Sequence, residues 1–123
     1  MSSERGSVSI IVAAMMAAIV VLALGAADVA RVFAVASRAQ SAADAAALAA
    51  AQELALPAGE GSPGDIAAAY AIRNGAALRT CACEPGTFDA QVEVDVAVGP
   101  LSLAPDDLRV TASARAVVDL PTP

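Results

Sequence analysis

The chain has 123 residues, room for one small domain, and 58% of them are hydrophobic while only 2% are aromatic, so its apolar content is mostly alanine and valine. Alanine favours helix but buries little area, which makes any core thin. The net charge of −6, with eleven acids against four arginines from Gln40 onward and no lysine or histidine anywhere, argues against nucleic-acid binding and removes the commonest general base and metal ligand.

Residues 1–6, MSSERG, make a short polar leader. Residues 7–27, SVSIIVAAMMAAIVVLALGAA, carry no charge. As a helix they span roughly 32 Å at about 1.5 Å per residue, which matches a hydrocarbon core of about 30 Å. A soluble helix of that length would show a polar stripe, and here only Ser7 and Ser9 are polar, both at one end. The run predicts a membrane-inserted segment.

Asp28 ends the uncharged run without ending the helix, because residues 28–56 contain no Pro or Gly and are rich in alanine. Arg31, Arg38, Ser41 and Asp44 recur at helical spacing on one side. Val29, Val32, Phe33, Ala36, Ala39, Ala43, Ala46, Ala47, Ala50 and Leu54 make an apolar stripe on another. Two readings suit so small-sided a stripe: a helix covering its own domain, or a face for a partner helix.

Pro57 is expected to stop the helix, and residues 57–64 read as a linker. The remainder, 65–123, reads as a small module. Asp65 is the expected N-cap of a short helix over 66–74, ended by Asn74-Gly75. The period then changes to two. Residues 88–98 put Val92, Val94, Val96 and Val98 on one face with Glu93 and Asp95 on the other. Residues 108–118 repeat the alternation, with Arg109, Thr111, Ser113 and Arg115 on the polar side, so acids of one strand can meet arginines of the next. Residues 78–83 add a third short strand before a Glu84-Pro85-Gly86 turn. The fold class expected is α+β: a long N-terminal helix, then one short helix and a two- to three-stranded antiparallel sheet, with the 66–74 helix the nearest cover for the apolar face.

Candidate chemistry is sparse. Cys81 and Cys83 cannot make a four-ligand metal site without histidine, and they are not a C-x-x-C redox pair. In an extracytoplasmic setting they would oxidise to each other or to another chain; otherwise they are two small apolar fillers on one strand face. Glu93, Asp95, Asp106 and Asp107 lack EF-hand spacing and read as a solvated acidic face. No cofactor, metal or catalytic residue is assigned, and the chain is not expected to be an enzyme.

A charged leader ending in glycine, an apolar span and an amphipathic helix in immediate succession resemble the class III signal of type IV pilin-like proteins. More narrowly, RGSVSIIVAAMMAAIVVLALGAADVARVFAVASRAQSAADAAALAAA is similar to the TadE-like pilus-assembly proteins of actinobacteria, and AIRNGAALRTCAC with the alternating valines is similar to the tail of that family. The resemblance implies a minor pilin or pseudopilin of a tight-adherence (Tad) pilus or related secretion system. It implies cleavage between Gly6 and Ser7 by a prepilin peptidase, and packing of the N-terminal helix among other pilin-like or TadE-like subunits. The expected location is the plasma membrane, single-pass, with the N-terminus cytoplasmic and the C-terminal module outside, or in the pilus or secreted. Arg5 agrees with that orientation while Arg31 and Arg38 oppose it, so the assignment rests on the resemblance.

One position departs from the pattern. Pilins carry glutamate at the fifth residue after the cut, paired with a neighbour's freed amine, and here that residue is Ile11, which avoids a membrane-buried charge and loses the pairing. Two alternatives share the anatomy. One is a binding module secreted after signal-peptidase cleavage near Ala23-Leu24-Gly25 or Gly25-Ala26-Ala27. The other is an uncleaved single-pass protein that assists assembly.

Overall fold

A computed structural model describes residues 3–56, 61–119 and 121 of the chain, with side chains from Gly6 onward. Met1 and Ser2 of the leader, Pro57 as the helix stop, and residues 57–60 of the linker lie outside the described residues. The architecture is α+β, as the periodicities predict: α1 (Ser3–Ala55), α2 (Pro63–Arg73), β1 (Ala77–Ala82), β2 (Asp89–Ala97) and β3 (Arg109–Val117). The strands form one antiparallel sheet in the order β1-β2-β3.

With 53 residues, α1 is about 80 Å long at about 1.5 Å per residue. It is one unbroken element with two different surroundings. Up to Ala27 it touches almost nothing, whereas from Ala39 to Ala51 it supplies half the core: Ala39, Ala42, Ala43, Ala46, Ala47, Ala50 and Ala51 are all at most 1% exposed. Alanine is what makes this possible, since a methyl side chain lets a helix axis approach a sheet and a second helix closely. The buried face is wide because α2 packs on one flank and β2 and β3 on the other. The apolar stripe read from the sequence is therefore covered from Ala39 on, but its N-terminal members Val29 and Phe33 stay exposed.

The cover of the sheet is α1, which corrects the expectation that the short helix would serve. Eleven residues of α2 reach only about 16 Å, against about 30 Å for the nine residues of β2, and α2 leads directly into edge strand β1. It consequently packs against α1 and β1 at the margin. The sheet contributes Ala90, Val92, Val94 and Val96 from central strand β2, with Val110, Ala112, Ala114 and Ala116 of β3 half-buried beside them. Val92 and Val94 are the largest fully buried side chains.

Local signals fix the ends of α2. The N-cap is Ser62, not Asp65: the Ser62 hydroxyl accepts from the Asp65 N–H at 3.2 Å and the Ser62 N–H donates back to the Asp65 carboxylate at 3.3 Å, a capping box with proline at the first helical position. At the other end Asn74 is the C-cap, the Gly75 N–H donates to Ile72 O and the Ala76 N–H to Ala71 O, both at 2.9 Å, which is a Schellman motif. Gly75 adopts φ +78°, and an added Cβ would meet only the Arg38 Cδ at an ordinary 3.6 Å. Gly75→Ala is therefore expected to cost roughly 1–2 kcal/mol through backbone conformation alone, read as a lowered midpoint in thermal denaturation.

In β1 the register shifts between Leu78 and Thr80, leaving Arg79 as an extra residue. The irregularity turns Leu78, Cys81 and Cys83 all toward the core margin, so three side chains reach one face from a strand whose simple alternation would have split them. On the opposite face three ion pairs line the sheet: Arg79–Glu93 at 3.7 Å, Arg109–Asp95 at 2.7 Å, and Arg115–Asp89. The last two are diagonal, since Asp95 stands opposite Thr111 and Asp89 opposite Val117.

Candidate functional site

The most distinctive surface is the bare half of α1. Val8, Ile10, Ile11, Val12, Met15, Met16, Ile19, Val20, Val21 and Leu22 are each between 54% and 72% exposed, all round the helix. The most apolar 18-residue window has a mean hydropathy of 2.8 and none of it is buried. The helix is long and apolar enough to cross a membrane, and it is the hydrocarbon of a bilayer that would take so continuous an apolar surface out of water.

Where that surface ends, the fold closes a clasp that the sequence does not disclose. Asp28, the first charge after the apolar run, accepts from the Ser102 N–H at 2.9 Å and 3.0 Å and from the Leu103 N–H at 2.7 Å. One turn on, Arg31 donates to the Pro100 carbonyl. The β2–β3 connection is thereby bound to α1 at residues 69 to 75 positions away in the chain. Asp28 reads from sequence only as the end of an uncharged stretch, and Gly99-Pro100 only as a turn; no local spacing links them. The Ser102 N–H, acting against partial desolvation and aided by the Leu103 N–H and the Arg31 charge, holds the Asp28 carboxyl below the usual carboxylate range.

Asp89 and Asp95 are lowered in the same sense, first by their hydrogen bonds from Arg115 and Arg109 and then, against desolvation, by those charges. Carboxyls depressed on folding stabilise the fold above the unfolded value of about 3.9 and lose that contribution as pH falls through the folded values. Thermal stability is thus expected to be flat from neutral pH down to about pH 5 and to fall below about pH 4, as checked by melting curves across a pH series.

The remaining sequence-predicted positions are dispersed. Gly6 and Ser7 lie in the first turns of α1, and a Cβ at Gly6 would meet nothing within 4 Å. Ile11, one turn further, is 57% exposed. Cys81 and Cys83 are bonded to each other at the edge of the core, with Cα atoms 5.4 Å apart, far from the bare half of α1 in the chain. Glu93 and Asp95 face Arg79 and Arg109, and no group of three or more His, Cys, Asp or Glu gathers for a metal among the described residues. Between α1 and α2 an open groove of about 490 Å³ is lined by Ala49, Gln52, Ile66, Ala69 and Tyr70, with Arg73 stacked 5.1 Å from the Tyr70 ring centre.

Fold and surface define a protein whose long helix α1 has one segment fit to cross a membrane, while the next is the spine of a small α+β core. Residues 6–53 match the model of the family Tad, described as putative Flp pilus-assembly TadE/G-like, and the match supports a TadE-like pilus-assembly protein. The matched segment covers nearly all of α1 and none of the sheet. It overlaps the stretch whose residues carry the resemblance. No curated protein and no solved structure matches the chain.

Proposed function

We propose that the protein is a non-enzymatic minor pilin or pseudopilin-like subunit of a Tad pilus or related secretion system. The observation that carries this is the division of α1: one unbroken helix, bare and apolar over residues 7–27, and packed into a folded core from Ala39. In this reading residues 1–6 are the leader, 7–27 span the plasma membrane with the N-terminus inside, and the unit built on the second half of α1 and on residues 65–123 stands outside. Other pilin-like helices replace lipid around residues 7–27 when the subunit is drawn into the filament.

Gly6 supports the leader assignment. A helical glycine costs roughly 1 kcal/mol relative to alanine, and nothing in the fold requires it, since the space around its α-carbon is open. A prepilin peptidase that needs a small residue before the cut at Ser7 supplies the missing reason. Cys81 and Cys83 fit an oxidising exterior, where an intrachain disulfide would secure the end of edge strand β1. Ile11 favours a second reading within the same system, in which the protein stays in the membrane and assists assembly instead of entering the filament.

The test is piliation of a strain lacking the gene, with the sheared surface filaments probed for the protein. Loss of pili on deletion and presence of the chain in sheared filaments are expected for a minor pilin. Loss of pili with the chain confined to the membrane supports the assembly role, and unchanged piliation contradicts both.

A further inference from the structure

We propose that the β2–β3 connection is a second membrane contact, with Leu103 resting in the boundary between headgroups and acyl chains beside α1. This rests on residues 7–27 spanning the bilayer. Asp28 is the first charge after that run and so marks where α1 meets water. The loop does not stop at this level. Its Leu103 Cδ1 lies 3.6 Å from the Cβ position of Gly25, three residues, or about 4.5 Å of helix rise, back into the uncharged run. Leu103 is still 56% exposed there, so protein covers less than half of a large apolar side chain at the depth where lipid begins.

The rest of the loop suits the same place. Residues 96–105 carry no charge, and Asp106 and Asp107 follow only as the chain turns back into β3. Backbone polar groups entering a water-poor zone need partners, and several at the loop tip have one: the Ser102 and Leu103 N–H groups donate to Asp28, the Pro100 carbonyl accepts from Arg31, and Pro100 and Pro105 have no N–H. Apolar side chains at interfaces of this kind bury about 5–10 Å into the headgroup and acyl boundary. The contact would give the folded unit a second point on the bilayer besides α1 and fix its tilt.

The chain has no tryptophan, so a single introduced one reports its own surroundings. Full-length Leu103→Trp, Ile19→Trp and Phe88→Trp would be placed in phosphatidylcholine vesicles with and without brominated phosphatidylcholine, each variant checked for an unchanged circular-dichroism spectrum. Phe88 lies beyond the opposite end of β2, about 30 Å from the loop at about 3.3 Å per residue. Brominated lipid is expected to cut the emission of Ile19→Trp, in the middle of the span, and of Leu103→Trp, at an interfacial depth of about 5–10 Å, by roughly twofold or more, and to leave Phe88→Trp unchanged. Quenching of Ile19→Trp with Leu103→Trp behaving like Phe88→Trp would overturn the loop contact and leave the span intact. Blue-shifted but unquenched emission from Leu103→Trp would mean that a neighbouring subunit covers it and would overturn the proposal equally. No quenching of Ile19→Trp would remove the span itself.

Discussion

Val94→Asp is expected to abolish the cooperative folding of the sheet while α1 keeps its helical signal in a bilayer or micelle. Val94 is fully buried at the centre of β2, with β1 and β3 on either side and the alanine face of α1 above it. An aspartate there has no buried partner, because the arginines of the sheet all lie on the opposite face. Leaving a charge unpaired in such a site costs upward of about 4 kcal/mol, a large part of the 5–15 kcal/mol that stabilises an ordinary domain. A core of alanines and valines has less to lose than most. Val94→Ala removes two methyl groups and is expected to cost only about 2 kcal/mol. Limited trypsin digestion separates the cases: cleavage after Arg79, Arg109 and Arg115 should be slow in the wild type, somewhat faster in Val94→Ala and immediate in Val94→Asp.

Ile19→Arg is expected to expel the chain from the membrane fraction while leaving the folded unit intact. Ile19 sits near the middle of the uncharged run and is 58% exposed, touching no residue that would accept a guanidinium. Exchanging an apolar side chain for arginine at the centre of a span costs about 3–4 kcal/mol on insertion scales, equivalent to a shift of roughly a hundredfold to a thousandfold in the partition. Ile19→Leu should partition as the wild type, and so should Val117→Arg, which places the same charge on an exposed position of β3. The measurement is the distribution of the chain between carbonate-washed membranes and supernatant. Retention of Ile19→Arg in the membrane would contradict the spanning role of the helix.

The regular elements were legible because each has a strong local period. Twenty-one uncharged positions, an alanine-rich continuation without Pro or Gly, and valines alternating with charges at 92–98 define α1 and β2 to within a few residues. Asn74-Gly75 and Glu84-Pro85-Gly86 mark the turns they were expected to mark, with Gly75 and Gly86 both at positive φ. What periodicity does not carry is which faces meet. The stripe on α1 admits either a partner helix or its own domain, and only the packing puts Ala43, Ala46 and Ala50 into one core with Val92 and Val94. Ser62 and Asp65 stand at capping-box spacing, but Asp65 alone is also a good cap, so the local sequence does not decide between them. The clasp of Asp28 and Arg31 with residues 100–103 has no local signal at all, since it joins segments far apart in the chain through one carboxylate, one guanidinium and three backbone groups.

For the site, the sequence was informative about kind and silent about arrangement. A bare apolar span is a compositional property, so its fitness to cross a membrane is visible in residues 7–27. The proposed cleavage would be an encounter with another protein, and within this chain Gly6, Ser7 and Ile11 are only residues of the first turns of α1.

The sequence of the mature N-terminus bears on the central claim most directly. Intact mass and N-terminal sequencing of the chain recovered from membranes are expected to give a protein that starts at Ser7, and Gly6→Phe is expected to leave Met1 in place. A start near Ala26 would contradict the account, since it would cut α1 within the run that is held here to cross the membrane.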